Sequence, residues 1–121
     1  MTPKDVYEVE FWRTLSDEGY AEYCGNLKKY RDAFGDWKVD SVVEIGIGPT
    51  GGILPYIEAK RKVAVDPLIS EYDRIGKMRR FDDVEYVESY IEDWNPSEKF
   101  DAVVTTGTID HNDMGFHLLP R

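Results

Sequence analysis

Apolar positions along this chain change their spacing near residue 37. From Val9 to about Phe34 they fall at three- and four-residue steps through Phe11, Trp12, Leu15, Tyr20, Tyr23, Leu27, Tyr30 and Phe34, the spacing of one face of an α-helix. Gly19 interrupts the stripe, so the pattern predicts two amphipathic helices whose aromatic side packs against a sheet. Gly35-Asp36-Trp37 closes the second helix. Beyond it the apolar residues gather into short β-branched runs at Ser41–Ile45, Lys62–Asp66, Val84–Val87 and Phe100–Thr106. The second lacks alternation, as strands covered on both faces do, whereas Val84–Val87 alternates and reads as a half-exposed edge. A helix of about two turns is predicted over 53–59, with Pro55 in its first turn. A mostly polar helix is predicted over 69–80, and 91–96 reads as loop. Strands alternating with helices in this way define an α/β, doubly wound, mostly parallel sheet. One domain is expected, with a helical segment over 1–38 and the sheet core over 39–121.

The junction between the first two strands concentrates the chemistry. Gly46, Gly48, Gly51 and Gly52 fall within seven residues, directly after a strand. Glycines there let the backbone turn sharply and leave no Cβ between its amides and a ligand. Gly46-x-Gly48-x-x-Gly51 has the spacing of a nucleotide-binding turn, and Asp66 stands 20 residues after Gly46 at the end of the next strand. A carboxylate in that place can hold the two hydroxyls of a ribose, so a nucleoside-bearing cofactor is expected.

Charge narrows the partners. The 121 residues carry 15 basic and 24 acidic side chains, a net charge of −9, which disfavours capture of nucleic acid or of anionic membrane surfaces. Neither is expected as a partner. The basic clusters Lys60-Arg61-Lys62 and Lys77-Met78-Arg79-Arg80 lie beside Glu58, Asp82, Asp83 and Glu85 and read as solvated faces. Cys24 is the sole cysteine, which rules out an internal disulfide and fits a reducing compartment. Met1–Glu8 has the pattern of neither a signal nor a transit peptide, and no stretch approaches the roughly 20 apolar residues of a membrane span. A cytoplasmic protein is expected. The two histidines and one cysteine are unclustered, so no metal is expected.

Glu44 decides between cofactors. Val43-Glu44-Ile45-Gly46-Ile47-Gly48 places an acid two residues before the first glycine and resembles the first motif of class I S-adenosylmethionine-dependent methyltransferases. A carboxylate there suits a ligand bearing an ammonium group and would repel a pyrophosphate. Val63–Leu68 resembles the second motif of that family, Val87–Glu92 its adenine-contacting loop, and Phe100–Val104 its fourth strand, together covering roughly 39–111. The resemblance implies a Rossmann-like fold with strand order 3-2-1-4 and S-adenosylmethionine as cofactor. It implies contacts from Glu44, Gly46, Gly48 and Gly51 to the methionine end, from Asp66 to the ribose, from Leu68 to one adenine face, and from Tyr90 and Ile91 to the adenine edge. Methyl transfer to a small-molecule acceptor is the implied activity. No Asn-Pro-Pro-Tyr segment of amino-group methyltransferases is present. A non-catalytic S-adenosylmethionine-binding module and an NAD-binding domain are the alternatives.

A methyl acceptor needs in-line placement, with a base only where it must lose a proton. Asp110 and His111, after the fourth strand, are the candidate catalytic residues. Relatives continue with a further helix and three strands, so the sheet is expected to be incomplete. It would then end on an open, apolar fourth strand. A truncated methyltransferase, a binding module and a site completed across a homodimer, through the fourth strand or the C-terminal tail, all fit that ending.

Overall fold

The computed structural model describes residues 1–105 and 117–119. Three helices open the chain: α1 (Pro3–Thr14), α2 (Asp17–Asn26) and α3 (Lys29–Phe34). The start of α1 is fixed by a capping box, in which the Thr2 hydroxyl accepts from the Asp5 amide at 3.1 Å and the Asp5 carboxylate accepts from the Thr2 amide at 3.0 Å. The expected break at Gly19 lies instead at Leu15 and Ser16. Ser16 caps α2 by accepting from the Gly19 amide at 3.0 Å, and a Cβ on Gly19 would press on Leu15 Cδ1 at 2.8 Å. Gly19 therefore permits the close turn between helices while sitting inside the second one. A further break separates α2 from α3, unmarked in the stripe because Leu27 and Lys28 keep right-handed helical dihedrals and so leave the apolar phase intact.

Strands β1 (Lys38–Ile45), β2 (Glu58–Asp66), β3 (Val84–Glu88) and β4 (Ala102–Thr105) form a parallel sheet in the order β3-β2-β1-β4, the predicted doubly wound α/β, Rossmann-like arrangement. Pairing runs in register from Val42↔Lys62 to Ile45↔Val65 between β1 and β2, and from Val42↔Ala102 to Ile45↔Thr105 between β1 and β4. The edge expected to be open on β4 is occupied. Strand β5 (His117–Leu119) pairs with it antiparallel, Val103 opposite Leu119, which satisfies backbone groups that a bare edge would leave to solvent.

The predicted helix over 53–59 is also absent. The β1–β2 connection contains only a single 3-10 turn, Leu54–Tyr56, because β2 begins at Glu58, four residues earlier than its apolar run, and pairs there with Lys38. Helix α4 (Ile69–Arg74) is shorter than the predicted 69–80. Gly76, at φ +74°, ends it in the left-handed conformation that glycine adopts without strain.

The alternation of strand side chains builds two cores. One face buries Val42, Ala64, Val84, Ala102 and Val104 against Phe34, Ile53, Leu54 and Ile57, and the other buries Val43, Ile45, Val63, Val65 and Phe100. A third cluster joins Val9 and Trp12 of α1 to Leu68 and Tyr72. In β1 and β2 the first halves are largely exposed and the last four or five residues buried, so the sheet is best packed at its carboxyl end. Ile53 is fully buried at the centre of the first core. Replacing it with Ala is expected to cost about 3 kcal/mol, read as a lower urea midpoint with an unchanged slope.

Candidate functional site

Strands β1 and β2 end side by side, and the Gly46 amide donates to the Val65 carbonyl at 2.8 Å. The chain then turns through Gly46, Gly48, Gly51 and Gly52, all with φ between +65° and +90°, dihedrals that a side chain would strain. The four glycines divide by what surrounds them. A Cβ on Gly51 would meet Phe81 Cε2 at 2.8 Å and the Arg79 carbonyl at 2.9 Å, and one on Gly52 would drive into the Glu44 carboxyl, its Cδ at 2.6 Å. Nothing lies within 4 Å of the corresponding position on Gly48. Gly51 and Gly52 thus serve packing inside the protein, while Gly46 and Gly48 line an open cleft.

Glu44 is completely buried, and its Oε1 accepts from the Ile53 amide at 2.8 Å. It anchors the far end of the turn and does not line the cleft. From outside, the Pro49 carbonyl accepts from the Arg79 amide at 2.7 Å. Asp66 grips the near end. Its Oδ2 accepts from the Gly48 amide at 3.0 Å and its Oδ1 from the Leu68 amide at 2.9 Å. Burial pushes the Asp66 carboxyl above its ordinary value of 3.8, against the pull of these two amides and with the help of Glu8 and Asp5.

The cleft beyond Asp66 is walled by α1. Lys4, Asp5 and Glu8 face Gly46, Gly48, Asp66, Pro67, Leu68 and Tyr72 across it. A neighbouring cavity of about 370 Å³ shares Lys4, Asp5, Gly46 and Pro67 with it and is bounded further by Ile45, Val65, Ser89, Tyr90 and Ile91. The Tyr90 hydroxyl donates to Asp5 Oδ2 at 2.5 Å, tying the loop after β3 to the first turn of α1. That bond raises the Tyr90 pKa, with burial and the Asp5 charge adding to it. For Asp5, burial pulls upward but the bonds from Tyr90 and Thr2 prevail and leave its pKa lowered.

Six predicted site residues therefore converge on this cleft: Gly46, Gly48, Asp66, Leu68, Tyr90 and Ile91. Glu44 and Gly51 lie behind it. The candidates Asp110 and His111 lie outside the described residues. Lys4, Asp5, Glu8 and Tyr72 line the cleft without having been predicted, because nothing local marks where α1 and α4 meet the strand ends. Among the described residues no group of three or more His, Cys, Asp or Glu is placed to hold a metal, and no helix is long and apolar enough to cross a membrane.

No protein-family model matches this sequence, and no curated protein matches it significantly. Among solved structures, the chain is similar to N-methyltransferase NodS from Bradyrhizobium japonicum WM9 in complex with S-adenosyl-L-homocysteine, with 17% sequence identity and a TM-score of 0.49. The match covers 78% of this chain and 52% of that one; the chain thus spans about half the length of that protein.

Two outcomes follow from the buried carboxylates. Glu44→Ala leaves the Ile53 amide unpaired in the core and is expected to cost about 3 kcal/mol, measured by chemical denaturation. Asp66 holds its proton more tightly folded than unfolded, so its contribution favours the fold at low pH and is lost as pH rises through the raised pKa. The stability of the wild type relative to Asp66→Asn should accordingly fall as pH climbs from about 3.5 through the weakly acid range, as read from urea midpoints across a pH series.

Proposed function

We propose that this chain binds S-adenosylmethionine in the cleft at the ends of β1, β2 and β3 and serves methyl transfer to a small-molecule acceptor. The observation that carries the reading is the open turn at Gly46 and Gly48 held against the Asp66 carboxylate. Gly48 has free space where a side chain would stand, so a ligand can reach the backbone there, and each Asp66 oxygen keeps a lone pair for a ribose hydroxyl. Leu68 would meet one adenine face, and Tyr90 and Ile91 the adenine edge.

The charge of the cleft supports this cofactor over NAD. Asp5, Glu8 and Asp66 face it against Lys4 alone, a balance that attracts a cation and repels a pyrophosphate. With Glu44 turned into the protein, the carboxylates available to an ammonium or sulfonium group are those of α1 and Asp66. When bound, S-adenosylmethionine supplies an electrophilic methyl group on its sulfonium. The protein's part is to fix that group at the carboxyl end of the sheet and to keep water from it with the α1 wall.

Calorimetric titration of the chain with S-adenosylmethionine, S-adenosylhomocysteine and NAD tests this. The first two are expected to bind, and Asp66→Ala to weaken both by roughly 10- to 100-fold. Binding of NAD in preference, or of none of the three, would overturn the reading.

A further inference from the structure

Tyr72 is 2% exposed, and its ring is wedged between α1 and α4 in the cluster with Val9, Trp12 and Leu68. A tyrosine so placed ordinarily finds a partner for its hydroxyl. Among the described residues this one has none. Burial leads the forces acting on the phenol, followed by the charges of Asp66, Glu8 and Asp5, with no hydrogen bond among them. Those three carboxylates line the cleft, as Tyr72 itself does, and its hydroxyl is not among the fully enclosed polar atoms that lack a partner, so the small exposed part of Tyr72 includes the oxygen, on the cleft it shares with Asp66. Its neighbours are already engaged: Glu8 accepts from Trp12 Nε1 at 3.0 Å, and Asp66 from the amides of Gly48 and Leu68. A hydroxyl that reaches the cleft without a protein partner is free to bond a ligand there in place of water.

We infer that the Tyr72 hydroxyl is a ligand contact, forming with Asp66 a two-sided clasp on the vicinal hydroxyls of the ribose. This rests on the nucleoside cofactor proposed above and adds to it a residue on the second turn of α4, outside the glycine turn and the strand ends. The chemistry favours a diol over other ligand groups. Asp66 can only accept, so it takes hydroxyl protons. Burial and the acid neighbours hold the phenol protonated, so it can donate to the oxygen of the same hydroxyl or of the adjacent one. A group that is both donor and acceptor satisfies the pair; a carboxylate or phosphate brought to the same place would face Asp66, Glu8 and Asp5.

Tyr72→Phe keeps the ring and its packing and removes only the unpaired oxygen. The ligand-free variant is expected to melt at or above the wild-type temperature, since the fold loses no bond. Its affinity for S-adenosylhomocysteine, by calorimetry on the full chain, is expected to fall about tenfold. The 2′-deoxy and 3′-deoxy forms of that compound identify the hydroxyl: at one of the two positions, the wild type should prefer the hydroxylated ligand and the variant should lose that preference. Affinity of the variant within twofold of wild type, an equal loss for all three ligands, or a lower melting temperature without ligand would each overturn the clasp and leave the cofactor reading standing. Failure of the wild type to bind S-adenosylhomocysteine at all would overturn both.

Discussion

The glycine turn is suspended between two carboxylates that both bond to backbone. Glu44 holds its far end through Ile53, and Asp66 holds its near end through Gly48 while also fixing Leu68. A carboxylate accepting from backbone amides makes stronger bonds than neutral pairs do, and the turn, which enters positive φ at four glycines within seven residues, has little stability of its own. Each acid also requires the other features around it. Glu44 is accommodated in an apolar core only because Gly52 has no side chain, and Asp66 stays ionisable only because two amides offset its burial.

That arrangement fixes one wall of the cleft and leaves the other to different elements. Helix α1 touches the strand ends through a separate cluster, and its acids reach the cleft from outside the sheet. The bond between Tyr90 and Asp5 closes the circuit from β3 back to the N-terminus. The site is therefore assembled from one half set by the sheet and a second half, α1, held by its cluster with Leu68 and Tyr72 and by hydrogen bonds from Tyr90 and Lys77.

Much of the sheet was legible in the chain because continuous β-branched runs such as Val42–Ile45 and Val63–Val65 admit few other readings. The strand order followed from resemblance rather than periodicity. Helix boundaries were less legible for identifiable reasons. Gly19 looks like an interruption but is tolerated within α2 beside Leu15, whereas Gly76, a true terminator, went unused as a signal. Pairing with Lys38 drew residues 58 and 59 into a strand against their local helical pattern. Of the candidate site, Gly46, Gly48 and Asp66 were legible because their chemistry is local. The direction in which Glu44 turns was not, since it depends on where Ile53 and Gly52 arrive. Asp5, Glu8 and Tyr72 were hidden for the same reason: only the tertiary placement of α1 and α4 brings them to the strand ends.

The brevity of the β1–β2 connection bears on the order in which the molecule forms. Val42 pairs with Lys62 across 20 residues and with Ala102 across 60, so the first pairing closes a loop one third as long and loses less chain entropy in doing so. Contacts of short sequence separation form fastest. Of the two pairings that β1 makes, the one enclosing the glycine turn is therefore favoured first, and β4 joins a strand already paired around that turn.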